Sequence, residues 1–215
     1  MENNEYIYII LIKALTGLGK IVRKIDGYEY THVAMSYDDK LNDFITFSRR
    51  KHYLPFDAGF MHEKKEHYAF GNNKNIKVKV FKIPVSESNI RIIKNYVKKI
   101  ENNNDEYIFN LYSMITMPIF HGIKIYKTHN CMSFVSKIIK LSNTIEMKKD
   151  YYKYNIKEID KLLEEYVIKE CYLEKKYDDE IYMKKYGIIP NLRSFFLLNG
   201  KLLYRIIFKR NDRYE

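Results

Sequence analysis

Cys131 stands in Thr128-His129-Asn130-Cys131-Met132-Ser133-Phe134-Val135, and His32 stands far upstream in Tyr30-Thr31-His32-Val33-Ala34-Met35-Ser36. A thiol and an imidazole are the minimal apparatus of a cysteine nucleophile, in which the ring exchanges a proton while the sulfur carries an acyl group. After Asn130, Phe134, Ile138 and Leu141 recur at spacings of four and three, with Val135 and Ile139 beside them. That periodicity predicts a buried helix with Asn130 as its N-cap. Cys131 would then occupy the first turn, where unpaired backbone N–H groups and the helix dipole favour an anion, whether thiolate or oxyanion. The competing reading is core filler, since free cysteine is among the most buried residue types.

The imidazole must come from a strand. Tyr30–Tyr37 and Phe44–Arg49 are β-branched and aromatic runs separated by the polar turn Asp38-Asp39-Lys40-Leu41-Asn42-Asp43, which predicts an antiparallel hairpin. Within the first run His32, Ala34 and Ser36 share one face, and these small neighbours would let a helix end approach. If Tyr37 pairs with Asp43, His32 lies opposite Ser48 and Ala34 opposite Thr46. Ser48 is therefore the candidate orienter of the imidazole, with Thr46 in its place if the register slips by two. A hydroxyl orients less strongly than a carboxylate. Arg49, Arg50 and Lys51 follow directly and are candidates to receive an anionic substrate group; a solvated basic strand end accounts for them equally well. His129, two residues before the thiol, joins them as a substrate-binding candidate if its loop folds back.

The remaining candidates are weaker. His121 reads as solvated, and so do His52, His62 and His67, which share a His- and Lys-rich stretch but no helical i, i+4 pair for a metal. Cys171 lies in a charged run read as helical and has no cap or neighbouring histidine. No cofactor and no metal is implied.

Around these residues, Tyr6–Lys13 reads as a buried strand and Thr16–Ile25 as a short helix. Lys51–Asn75 reads as a long surface loop with room for one short strand. Ile76–Pro84 alternates apolar and basic residues and is a half-exposed strand, followed by a helix capped by Ser86 or Ser88. Tyr107–Met117 reads as a helix that stops before Pro118. Beyond Ser142, Tyr151–Glu174 reads as mostly helical, and Asn199-Gly200 between two apolar runs predicts a hairpin.

Composition bounds the function. The 215 residues are 46% apolar and 15% aromatic, enough for one substantial core, and the net charge of +11 is spread among acids and Asn rather than gathered in a stripe. Such a balance suits an anionic surface. Without a zinc knuckle, a phosphate loop or an RNA-binding aromatic motif, it disfavours nucleic acid. Two cysteines make neither a disulfide framework nor a metal quartet, which fits reduced thiols in a cytosol. The apolar run near the start is too short to span a bilayer and follows acidic residues, so neither a signal peptide nor a membrane span is expected, and the expected location is cytoplasmic.

Thr31-His32-Val33-Ala34 on a strand, followed much later by Asn130-Cys131-Met132-Ser133-Phe134-Val135 opening a helix, resembles the circularly permuted branch of the NlpC-type, papain-like cysteine hydrolase superfamily. That branch includes the lecithin:retinol acyltransferase-like and YiiX-like proteins. Asn-Cys-x-x-Phe-Val is similar to the Asn-Cys-Glu-His-Phe motif of the acyltransferases, with Met132-Ser133 in place of Glu-His. Phe47-Ser48-Arg49-Arg50-Lys51 and Pro55-Phe56-Asp57-Ala58-Gly59-Phe60 resemble a group of uncharacterised bacterial and phage proteins in this branch. The resemblance covers roughly residues 6 to 142. It implies an α+β, permuted papain-like core over residues 1–142, in which an antiparallel sheet packs against the cysteine-bearing helix. Residues 143–215 then form a helical and hairpin C-terminal extension packed on that core. It further implies Cys131 as nucleophile and His32 as base, in a hydrolase or acyltransferase acting on a small-molecule, lipid or peptide acyl substrate. The rival expectation is a catalytically silent binding module on the same fold, with an anionic lipid, protein or nucleic-acid partner.

Overall fold

The computed structural model describes residues 5–15, 27–69 and 73–209. The helix expected over Thr16–Ile25 lies outside them. The chain forms an α+β fold, a mixed eight-stranded sheet with five α-helices among the described residues. The strands are β1 (Glu5–Ile12), β2 (His32–Ser36), β3 (Phe44–Arg49), β4 (Ala58–Glu63), β5 (Asn75–Val85), β6 (Ile108–Phe109), β7 (Thr128–His129) and β8 (Val167–Glu174). Their order across the sheet is β7-β6-β4-β3-β2-β1-β5-β8. All neighbours are antiparallel except β6 and β7.

β1 lies inside the sheet and is apolar on both faces, as a strand covered on both sides must be. Ile7, Ile9 and Leu11 join one core cluster, while Tyr8, Ile10 and Ile12 join a second. The first cluster is completed by α1 (Glu87–Asn102) and α3 (Cys131–Ser142), which contribute Ile93 and Val97, and Phe134, Val135 and Ile138. Each such side chain stabilises the fold by about 1.5–3 kcal/mol on burial. The second cluster, with Ala34, Phe44, Tyr68 and Val80, backs the opposite face.

Four expectations are resolved by the structure. First, the one short strand for which Lys51–Asn75 leaves room is β4, which pairs with β3 from Phe44–Glu63 to Arg49–Ala58. Secondly, α2 (Leu111–Phe120) runs through Pro118 to a left-handed cap at His121. Proline removes only one amide donor, and the bias on the residue before it does not bar the last turn of a helix. Thirdly, Val167–Glu174 is a strand. It pairs with the free edge of β5, where Lys77 meets Glu170, and this pairing outweighs local charge pattern.

Finally, Asn199 and Gly200 sit inside a 21-residue helix, α5 (Ile188–Phe208), rather than in a hairpin. Leu198 and Leu202 are buried four residues apart, a helical spacing that a two-residue turn would destroy, and Asn199 donates to the Phe195 carbonyl one turn back at 2.8 Å. Pro190 is in the first turn, where its missing N–H removes no helical bond. The extension is continuous with the core. Tyr154, together with Ile159 and Leu163 around α4 (Ile156–Leu162), joins Leu198 and Leu202 in the first cluster.

Candidate functional site

Cys131 opens α3, and Asn130 is its N-cap: the Asn130 side chain accepts from Ser133 N–H at 2.8 Å, while Ser133 Oγ accepts from Asn130 N–H at 3.0 Å. This reciprocal box fixes the first turn. Among the described residues it leaves the N–H groups of Cys131 and Met132 without an acceptor, as helix starts require. His32 is the first residue of β2. Cys131 acts electrostatically on its imidazole, and both residues are largely buried, 9% and 7% exposed.

The approach differs from the one expected. Ala34 packs in the second cluster, whereas Val33 and Met35 pack in the cluster containing α3. The small-residue face of β2 is therefore turned away from the helix, and thiol and imidazole meet where both their elements begin.

The group that holds the imidazole is Glu63. His32 Nε2 lies 3.2 Å from Glu63 Oε2, and Tyr68 donates its hydroxyl proton to the same oxygen. Glu63 is fully buried, and the Tyr68 ring lies 5.5 Å from the imidazole. Burial alone would lower the pKa of His32. The interaction with Cys131, followed by the bond and charge of Glu63, overrides burial and raises it to about 10. Burial alone would likewise raise Glu63, yet the bond and charge of His32, with the Tyr68 hydroxyl, hold it below the usual carboxylate range. Burial and the Glu63 charge drive Tyr68 the other way, well above the ordinary phenol value. The site thus sets an imidazole of raised pKa between a sulfur and a carboxylate.

Met35 pairs with Ile45, the register expected of the hairpin, and along its other edge β3 pairs Ser48 with Gly59 on β4; the hydrogen bond to the ring comes from Glu63. Thr46 donates to the Val33 carbonyl at 2.9 Å, tying β3 to β2.

The basic candidates are engaged in holding the fold. Arg49 donates to the Tyr182 hydroxyl at 3.2 Å and to His52 Nδ1 at 3.1 Å. Arg50 bonds Asp57 and Asn104, with its guanidinium against Gly59. Lys51 is half-exposed beside them. His129 is buried between Phe47, Tyr96 and Phe134, with Nε2 2.8 Å from the Tyr96 hydroxyl. Burial, then Lys137 and Lys124, push its pKa down to about 3, as befits a histidine packed in the core.

The histidines read as solvated divide. His121 and His62 are exposed, His62 between Asp43 and Glu101. His67 is buried, 3.2 Å from Asp179 and stacked at 4.2 Å on Tyr182. His52 is half-buried, and burial with the Arg49 charge lowers its pKa to about 4. Cys171 is half-buried on β8, opposite Val78.

Tyr182 belongs to a segment that walls the site. Beyond His67 and Arg49, its carbonyl accepts from His52 N–H, and Tyr182 and Cys131 both act electrostatically on the Tyr68 hydroxyl. A cavity of about 570 Å³ lies between Phe56 and the start of α5 and is lined by none of the site residues.

No family model, no curated protein and no solved structure matches the chain. No helix among the described residues is long and apolar enough to cross a membrane.

Proposed function

We propose that the protein is a cysteine hydrolase or acyltransferase of the permuted papain-like class, with Cys131 as nucleophile, His32 as proton carrier and Glu63 as the residue that orients and charges His32. The single observation that carries this reading is the buried chain from thiol to imidazole to carboxylate, each member brought in by a different element. Burial ordinarily lowers a histidine's pKa, as at His129; a buried histidine raised instead beside a cysteine at a helix start suits nucleophilic catalysis.

In the proposed reaction the Cys131 thiolate attacks an acyl carbon, and the new oxyanion accepts from the N–H groups of Cys131 and Met132. The tetrahedral species collapses, the bond to the leaving group breaks, and His32 gives that group its proton. Attack on the thioester by water, or by an acceptor hydroxyl or amine, returns the proton to His32 and frees the thiol. Glu63 remains ionised throughout, fixing the ring so that Nε2 faces the carboxylate.

The test is turnover of a panel of acyl esters, thioesters and amides, with the acyl-enzyme sought by intact mass. A mass increment on Cys131 that is absent from Cys131→Ala supports the proposal. Undiminished turnover in Cys131→Ala overturns it, and an inert wild-type protein across the panel with no acylated Cys131 favours the binding-module reading instead.

A further inference from the structure

Helix α5 buries only one stripe, at Leu198 and Leu202, with Arg205 reaching the carbonyls of Glu106, Tyr126 and Lys127. The opposite side of a soluble helix is ordinarily polar. Here Ile189, Phe196, Leu203 and Ile207, at spacings of seven, seven and four, form an outward apolar line, and each is at least half exposed. Beside it lies α2, joined to α5 by the Tyr112–Asn199 hydrogen bond, with Ile115, Ile119 and Phe120 also exposed. Contiguous exposed apolar surface of this kind marks an interaction site.

Charge selects the occupant. From residue 181 to 209 the chain has no Asp or Glu, and exposed Lys184, Lys185, Arg193 and Lys201 flank the apolar line. The α2 side is equally free of acids, from residue 107 to 145. A second copy would bring like charges together across the contact. A convex helix with aliphatic and aromatic side chains outward and cations at its flanks instead matches an anionic bilayer surface, into which the apolar line sinks while lysines and arginines reach the headgroups. We propose that α5, with the end of α2, docks this protein on the surface of an anionic membrane, lying along the interface. The proposal stands on this surface alone and is independent of the catalytic reading.

Vesicle flotation of the full chain tests it, using phosphatidylcholine vesicles with and without phosphatidylglycerol. The expected result is binding to the anionic vesicles that is about tenfold tighter than to the neutral ones and weakens in high salt. The doubly substituted Phe196→Gln, Leu203→Gln protein should lose about tenfold in affinity with unchanged circular dichroism, and Cys131→Ala should bind as wild type. Equal binding to both vesicle types, or none to either, overturns the proposal without need of a variant. So does a wild-type dimer in light scattering that the double substitution converts to monomer, since a second copy would then cover this face.

Discussion

His32 and Glu63 form a buried pair, Nε2 to Oε2 at 3.2 Å, although they stand on β2 and β4 with β3 between them. A carboxylate with no exposed side-chain surface is costly unless it is paired and hydrogen-bonded, and here one oxygen receives both the imidazole and the Tyr68 hydroxyl. The pair therefore ties together the hairpin, the strand after it and the short turn that carries Tyr68.

If Glu63 orients and charges His32, Glu63→Gln should cut the rate at which Cys131 is acylated by up to about 10⁴-fold, the loss seen when the acidic member of a catalytic triad is neutralised. Ser48→Ala should stay within about twofold, because the hydrogen bond to the ring comes from Glu63. Stopped-flow acylation of the two variants checks both expectations.

Stability should carry the signature of the same pair. The raised His32 contributes stability that is full below its ordinary value of 6.5 and is lost as pH rises toward about 10. The lowered Glu63 contributes stability that is full above 4.5 and is lost as pH falls through its depressed value. The difference in Tm between the protein with and without Glu63→Gln should peak between pH 4.5 and 6.5 and shrink toward pH 10.

His129→Ala should act on the fold and spare the chemistry. It opens a cavity beside Phe47 and Phe134 and leaves the Tyr96 hydroxyl unpaired, a loss of about 2–4 kcal/mol. Denaturant unfolding should show that loss while the acylation rate per folded molecule is unchanged.

Gly200→Ala distinguishes helix from hairpin. A Cβ at residue 200 meets nothing within 4 Å, so in α5 the substitution should stabilise by about 0.5–1 kcal/mol. In an Asn-Gly turn it would destabilise, because alanine resists the left-handed conformation such a turn demands.

The cysteine helix was legible because its cues are local: an apolar period of three and four, opened by an Asn whose side chain caps it. The β2–β3 hairpin was legible for the same reason, and its register at Met35 and Ile45 follows from the length of the polar turn. Glu63 was not. It precedes Lys64, Lys65 and Glu66, and a carboxylate in such company reads as solvated. Only β4 pairing with β3 turns it inward, and its partner lies 31 residues away. The available signal was Phe60, which stands opposite Phe47 and marks a strand inside an apparent loop. Similarly, Asn199-Gly200 satisfies a two-residue turn rule, but the burial of Leu198 and Leu202 decides for helix. β8 formed because β5 had a free edge, which no local pattern records.

The central claim is tested most directly by the relative rates at which one small electrophile alkylates the two thiols of the native protein, resolved by peptide mass. Exposure alone favours Cys171, which is half-buried, over Cys131, which is buried. Activation by His32 and Glu63 predicts the reverse: Cys131 reacts first, and His32→Ala or Glu63→Gln abolishes its lead. Labelling of Cys171 ahead of Cys131, or a Cys131 rate indifferent to both substitutions, would contradict the account.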